Sequence, residues 1–150
     1  MHTRRELISQ AVAGLLATAG LLPGAAQAAW SQAAFDAKSM ADAVKALGGS
    51  APAESKDVTL AGPDIAENGA VVPLGCACGL PGVKRLLLLV EKNPNALAAV
   101  FEISDVVEAN VSTRVKMGQS SHVFAVAMMA DGKVLYAQKE VKVTLGGCGG

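Results

Sequence analysis

The last five residues of the sequence are Gly146-Gly147-Cys148-Gly149-Gly150, and only Cys148 among them has a side chain that can react. A thiol forms disulfide-type bonds to thiosulfate or sulfane sulfur and gives them up again, which a serine hydroxyl cannot do. The glycines around it, Gly146, Gly147, Gly149 and Gly150, set how that thiol is presented. Glycine loses the most conformational entropy on ordering, roughly 1–2 kcal/mol of backbone cost per residue with no side-chain burial to offset it. The segment 146–150 is therefore expected to be a flexible arm. Fully extended at about 3.3–3.6 Å per residue, three residues carry the sulfur roughly 10 Å past the preceding strand. A bare backbone is also thin enough to enter a narrow enzyme channel end-first. A free cysteine of pKa about 8.5 is only a few per cent thiolate at neutral pH. Neither Leu145 nor the glycines offer a base or cation to change that, so activation is expected from a visiting enzyme.

Two further cysteines stand in Gly75-Cys76-Ala77-Cys78-Gly79. In an extended chain Cys76 and Cys78 share a face with Val72 and Leu74, with Cα atoms about 6.6 Å apart, near the upper limit for a disulfide. Three states fit: a pair of buried free thiols, a local disulfide favoured by the flanking glycines, and a redox or metal role resting on C-x-C alone. Removing residues 1–28 leaves His122 as the only histidine. One histidine without a cysteine cluster around it makes no common zinc site, so no metal site is expected and His122 is read as structural.

The elements that must hold these residues follow from the spacing of apolar positions. Trp30, Ala33, Ala37, Met40, Val44 and Leu47 recur at threes and fours, which predicts one amphipathic helix within 29–49, ended by Gly48-Gly49. From 50 onward short Val-, Leu- and Ile-rich runs alternate with Gly, Pro, Asn and Asp, the pattern of an antiparallel β-sandwich spanning 50–145. Strands are predicted over 57–60, 70–78, 83–90, 97–103, 110–117, 122–129, 133–137 and 140–145. Turns are predicted at Glu67-Asn68-Gly69, Asn93-Pro94-Asn95 and Asp131-Gly132, the last as a two-residue hairpin. Leu86–Val90 is apolar without alternation, as in a strand buried on both faces or covered on one by another subunit. That run predicts a protein partner, since exposed it would invite aggregation.

The other end of the chain reads as a targeting signal. Arg4-Arg5, an apolar run from Ala11 to Leu22, Pro23 and Ala26-Gln27-Ala28 follow the order of a signal peptide over 1–28, with cleavage after Ala28. Twelve helical residues rise only about 18 Å, short of the roughly 30 Å membrane core, so no permanent membrane span is expected. The arginine pair preceded by Thr3 and followed by Leu7-Ile8 resembles a twin-arginine signal, with an ordinary secretory signal as the alternative. The remaining 122 residues carry 11 basic and 12 acidic side chains, a formal charge of −1. That balance leaves no basic field for nucleic acid, and the length fits one domain. Five scattered aromatics, Trp30, Phe35, Phe101, Phe124 and Tyr136, make no base-stacking platform.

Val58-Thr59-Leu60, Pro63-Asp64-Ile65-Ala66-Glu67-Asn68-Gly69, Val72-Pro73 and the terminal Gly146–Gly150 together resemble the SoxY family, carrier subunits of the bacterial sulfur-oxidation (Sox) system. The resemblance covers the chain beyond the signal segment and implies an immunoglobulin-like sandwich, a periplasmic location reached by twin-arginine export, and a heterodimer with a SoxZ-like subunit. It also implies that Cys148 is the covalent attachment point for sulfur intermediates and that the carrier catalyses nothing and needs no cofactor. A haem-containing enzyme would load thiosulfate oxidatively, a manganese-dependent hydrolase would release sulfate, and further enzymes would process the sulfane sulfur. The Cys76/Cys78 pair departs from the family pattern, where a valine- or threonine-rich strand is expected. Two other readings compete with the carrier. One is a diglycine-type sulfur donor that uses Gly149-Gly150 as a thiocarboxylate; the other is a structural sandwich cross-linked through Cys148. The first needs ATP-dependent adenylation inside the cell, which an export signal contradicts.

Overall fold

The computed structural model describes residues 30–146. Its first elements are two short helices, α1 (Gln32–Asp36) and α2 (Met40–Ala46), in place of the single helix that the apolar stripe predicts. The break has a local cause. Ala37 turns extended after α1, and Ser39 starts a new helix as an N-cap, its hydroxyl accepting from the Asp42 N–H at 3.2 Å and donating to the Asp42 carboxylate at 2.7 Å. Between them the Ala37 carbonyl accepts the Ala96 N–H at 3.3 Å, and Lys38 donates to the Pro94 carbonyl, so the bend is tied to a loop of the sandwich. Of the predicted stripe Val44 is buried and Ala37, Met40 and Leu47 are packed partly buried beside it, but Ala33 is exposed, and so is Trp30, which lies ahead of α1; the break turns Ala34 and Ala43 inward instead.

Nine strands follow: β1 (Ala53–Glu54), β2 (Val58–Ala61), β3 (Ile65–Asn68), β4 (Val72–Cys78), β5 (Val83–Val90), β6 (Leu97–Glu102), β7 (Asn110–Val115), β8 (Ser121–Met129) and β9 (Val134–Leu145). They form two layers, a six-stranded sheet in the order β1-β9-β8-β5-β6, with β3 also on β9, and a three-stranded sheet β2-β4-β7. This is a mainly β, immunoglobulin-like sandwich. The main ladders are antiparallel as expected. Two pairings are not: β1 and β3, which the sequence reading did not anticipate, run parallel to β9.

β9 is one strand of 12 residues where two were expected, because the β8 ladder continues unbroken from Val134 through Val141. The Asp131-Gly132 turn also differs from the two-residue form. Met129 N–H donates to the Lys133 carbonyl at 2.9 Å, enclosing three residues, and only Gly132 has positive φ, +90°. That is a tight turn closed by a left-handed glycine, with the Lys133 N–H on the Asp131 carboxylate at 3.0 Å.

The apolar run of β5 is buried on both faces by the chain itself. Leu86, Leu88 and Val90 point into the space between the sheets, with Val72, Leu74, Val123, Ala125 and Val141. Leu87 and Leu89 point the other way, under the helices, with Ala34, Ala43, Val44, Val126 and Val134. Of the two kinds of burial that the run allows, the chain itself supplies both faces: α1 and α2 cover the one that the sequence left open. Among the described residues no helix is long and apolar enough to cross a membrane.

Candidate functional site

The residues ahead of the terminal glycines end β9 at Leu145, and several elements fix that end. β3 runs parallel beside the end of β9, placing Ala66 opposite Val143 and Asn68 opposite Leu145. The Asn68 carboxamide accepts the Ala70 N–H at 2.9 Å and holds the turn that follows. That turn presents the Gly69 N–H to the Leu145 carbonyl at 2.7 Å, while the Gly69 carbonyl accepts the Met117 N–H at 2.7 Å. The Thr144 hydroxyl donates to the Glu67 carbonyl at 3.0 Å, and the Ser120 hydroxyl accepts the Val143 N–H at 2.8 Å. β9 is thus gripped on both edges up to its last residue.

Gly146 sits against the Gly118 carbonyl so closely that a Cβ added at 146 would collide with that oxygen. The Gly118 segment is itself braced by Asn93, whose side chain donates to the Lys116 carbonyl at 2.6 Å and accepts the Gly118 N–H at 3.2 Å. Glycine at 146 therefore answers a need for room as well as the flexibility inferred from the sequence. Val71 and Leu145 stand 50% and 70% exposed at this end of β9. Asn93, Gly118 and Ser120 have no signal in the sequence beyond turn composition, since their role depends on a loop far away in the chain. Gly147, Cys148, Gly149 and Gly150 lie outside the described residues, as does the 1–28 signal segment.

The other two cysteines are placed in full. β4 is paired on both edges, Cys76 lying between Leu60 of β2 and Val111 of β7, with Cys78 opposite Val58. Both side chains point into the core, 1% and 7% exposed, and both thiols are free. Burial pushes the Cys76 thiol up to about 12, with a smaller push from Cys78 that a backbone hydrogen bond at Val126 partly offsets. A thiol held protonated and out of solvent is a packing group, not a nucleophile. Cys78 lies six residues along β4 from Val72, the end next to the close of β9, or about 20 Å at strand rise. An arm of three residues reaches about half that distance.

His122 is exposed near the start of β8, where its carbonyl accepts the Glu91 N–H at 3.0 Å and the Ser121 hydroxyl at 2.9 Å. Among the described residues no three His, Cys, Asp or Glu side chains gather in a way that could hold a metal ion.

This architecture has close counterparts. The family model of the sulfur oxidation protein SoxY matches residues 43–148, from α2 through Cys148. The solved structure of the sulfur carrier protein SoxY from Chlorobium limicola f thiosulfatophilum is 30% identical, covers 68% of this chain and 92% of its own, and superposes with a TM-score of 0.61. A superoxide reductase (neelaredoxin) from Ignicoccus hospitalis is 16% identical over 57% of this chain and 79% of its own, with a TM-score of 0.52, a likeness of fold alone. No curated protein matches the chain. With a family match that spans the sandwich, the end of β9 and the terminal cysteine, the chain belongs to the SoxY family of sulfur carriers and is a carrier rather than an enzyme.

Proposed function

We propose that this carrier holds thiosulfate-derived sulfur covalently on Cys148 and presents it, in the periplasm, to the enzymes of thiosulfate oxidation. The observation that carries the proposal is one of elimination among three cysteines. Cys76 and Cys78 are walled into the core with their backbone paired on both sides, so neither can meet a visiting active site. Cys148 follows the last strand by three residues and is the residue at which the family match ends.

The chemistry asks little of the carrier. The Cys148 thiol and the outer sulfur of thiosulfate join in a disulfide-type bond, releasing one proton and two electrons, and a haem-containing enzyme takes the electrons. Water then cleaves the bond between sulfur and the sulfonate group, releasing sulfate and leaving a persulfide on Cys148; a manganese-dependent hydrolase performs this step. Further enzymes process the remaining sulfane sulfur. The carrier contributes reach and access, and no cofactor of its own. The signal reading of 1–28 supports export, and the resemblance supports a SoxZ-like subunit as heterodimer partner.

The test is intact-mass measurement of the protein purified from its source. Additions of thiosulfate or sulfur mass on the wild type, absent from Cys148→Ser, are expected. Adducts that persist in Cys148→Ser, or that vanish only when a residue is added after Gly150, would transfer the function to another group.

A further inference from the structure

The two long sides of the sandwich are finished differently. On one side β9 is covered by β1 and β3, and Lys139 closes the gap between the sheets, its ammonium 2.8 Å from the Asp64 carboxylate and 2.7 Å from the Gly62 carbonyl. On the other side the outermost strands are β6 and β7, each paired along one edge only. Between them lies a groove of about 440 Å³, lined by Leu97, Ala98 and Ala99 of β6 and by Thr113, Arg114 and Val115 of β7.

Natural sheet edges are blunted by charges, prolines or bulges. β7 has Arg114, with Lys116 just beyond it, but β6 reads Leu97-Ala98-Ala99-Val100-Phe101 without a charge before Glu102. Its one irregularity is the bulge opposite Leu88-Leu89, at its beginning. Ile103 donates to the Lys84 carbonyl, so in this antiparallel ladder the bonds to β5 fall on Ile103, Phe101 and Ala99. The N–H and C=O of Val100 and Glu102 face outward, and among the described residues they have no partner. The loop joining β6 to β7 adds two exposed apolar residues, Val106 at 94% and Val107 at 56%.

We infer that the β6 edge is the docking site for the heterodimer partner, which adds an extended strand there and extends the six-stranded sheet; this rests on the heterodimer reading above. A strand is what an open row of backbone donors and acceptors recognises. Charge selects which strand. Among the described residues Arg114 and Lys116 enter no ion pair. A second copy docked antiparallel on the same edge would set its Glu102 end beside them, and that carboxylate is already held by Arg85 at 2.6 Å, so β6 itself offers these cations no free acid. The occupant is therefore a different chain, apolar where it meets Val100 and the Val106-Val107 loop, and acidic where it passes Arg114.

Hydrogen exchange on the full chain, alone and co-expressed with the SoxZ-like subunit, tests this. In the complex the Val100 and Glu102 amides are expected to slow about a hundredfold or more, as amides drawn into a ladder do. Val100→Pro removes an outward N–H without touching a bond to β5, and is expected to abolish co-elution. Should that variant fail to fold, Arg114→Glu with Lys116→Glu, both exposed, is expected to weaken association about tenfold at low salt and not at high salt. A complex in which the Val100 and Glu102 amides exchange as in the isolated chain would overturn the proposed edge and leave the heterodimer standing. No complex with the wild type would overturn the heterodimer itself. Protection that grows with the concentration of the chain alone would make a second copy the occupant and overturn the choice of partner.

Discussion

The molecule contains two glycine-flanked cysteine segments, Gly75-Cys76-Ala77-Cys78-Gly79 and Gly146-Gly147-Cys148-Gly149-Gly150, and they stand at different places along the ladders. The first lies on β4, between β2 and β7, where the backbone is bonded on both edges and the thiols point into the core. The second begins directly after the last residue of β9, Leu145. Glycine beside cysteine is therefore not in itself a sign of mobility or of reactivity. What decides is whether the flanking backbone is claimed by a ladder, because a paired strand recovers the ordering cost that glycine otherwise imposes.

The sharpest way to break this comparison is to exchange the roles of the cysteines. Cys148→Ser is expected to abolish sulfur loading completely, whereas Cys76→Ala and Cys78→Ala should load as the wild type does; intact mass after incubation with thiosulfate and the loading enzyme reads both. A second test compares access. In the folded protein one thiol is expected to react with a chromogenic disulfide reagent at the rate of a free cysteine. The other two wait for the core to open and react about a thousandfold or more slowly, as a typical stability implies.

A third test uses pH. The Cys76 thiol is pushed from 9.0 up to about 12 in the folded protein. Below pH 9 neither state gives up this proton, so its neutrality costs nothing. Above pH 9 the unfolded chain ionises and the folded chain does not until about 12, so stability falls across that window by up to about 1.4 kcal/mol per pH unit. Denaturant melts between pH 8 and 11 should show a steeper loss for the wild type than for Cys76→Ala. Parallel curves would mean that Cys76 is not held protonated in the fold.

The smallest effect concerns the border between ordered strand and arm. Gly146→Ala drives a methyl group into the Gly118 carbonyl, while Gly118→Ala points its methyl into open space. Hydrogen exchange at Gly69, whose N–H holds the Leu145 carbonyl, is expected to quicken several-fold in the first variant and to stay unchanged in the second. Equal exchange in both would mean that Gly146 has no seat and that the arm begins one residue earlier.

Much of this was legible from residue order alone. The alternation of Val, Leu and Ile marked most strands to within a residue or two, the end of β9 at Leu145 included. The shared face of Cys76 and Cys78 follows from a period of two, which any extended chain obeys. The helix break was also open to reading, since Ser39-x-x-Asp42 is a start signal inside the apolar stripe; the stripe's regularity hid it. The short strands β1 and β3 were not, because their hydrogen bonds come from β9, some 80 residues later.

By itself the sequence determined which thiol follows the last strand, because glycine content and the end of alternation are local properties. It likewise determined that Leu86–Val90 must be hidden from water, since apolar side chains on both faces of a strand admit no solvent-facing side. Only the tertiary structure decided what hides it. Two short helices fold back over that face, and β6 is left as an outermost strand of the sheet. Burial is demanded by composition, but which surface supplies it depends on contacts between distant parts of the chain, and no local pattern encodes those.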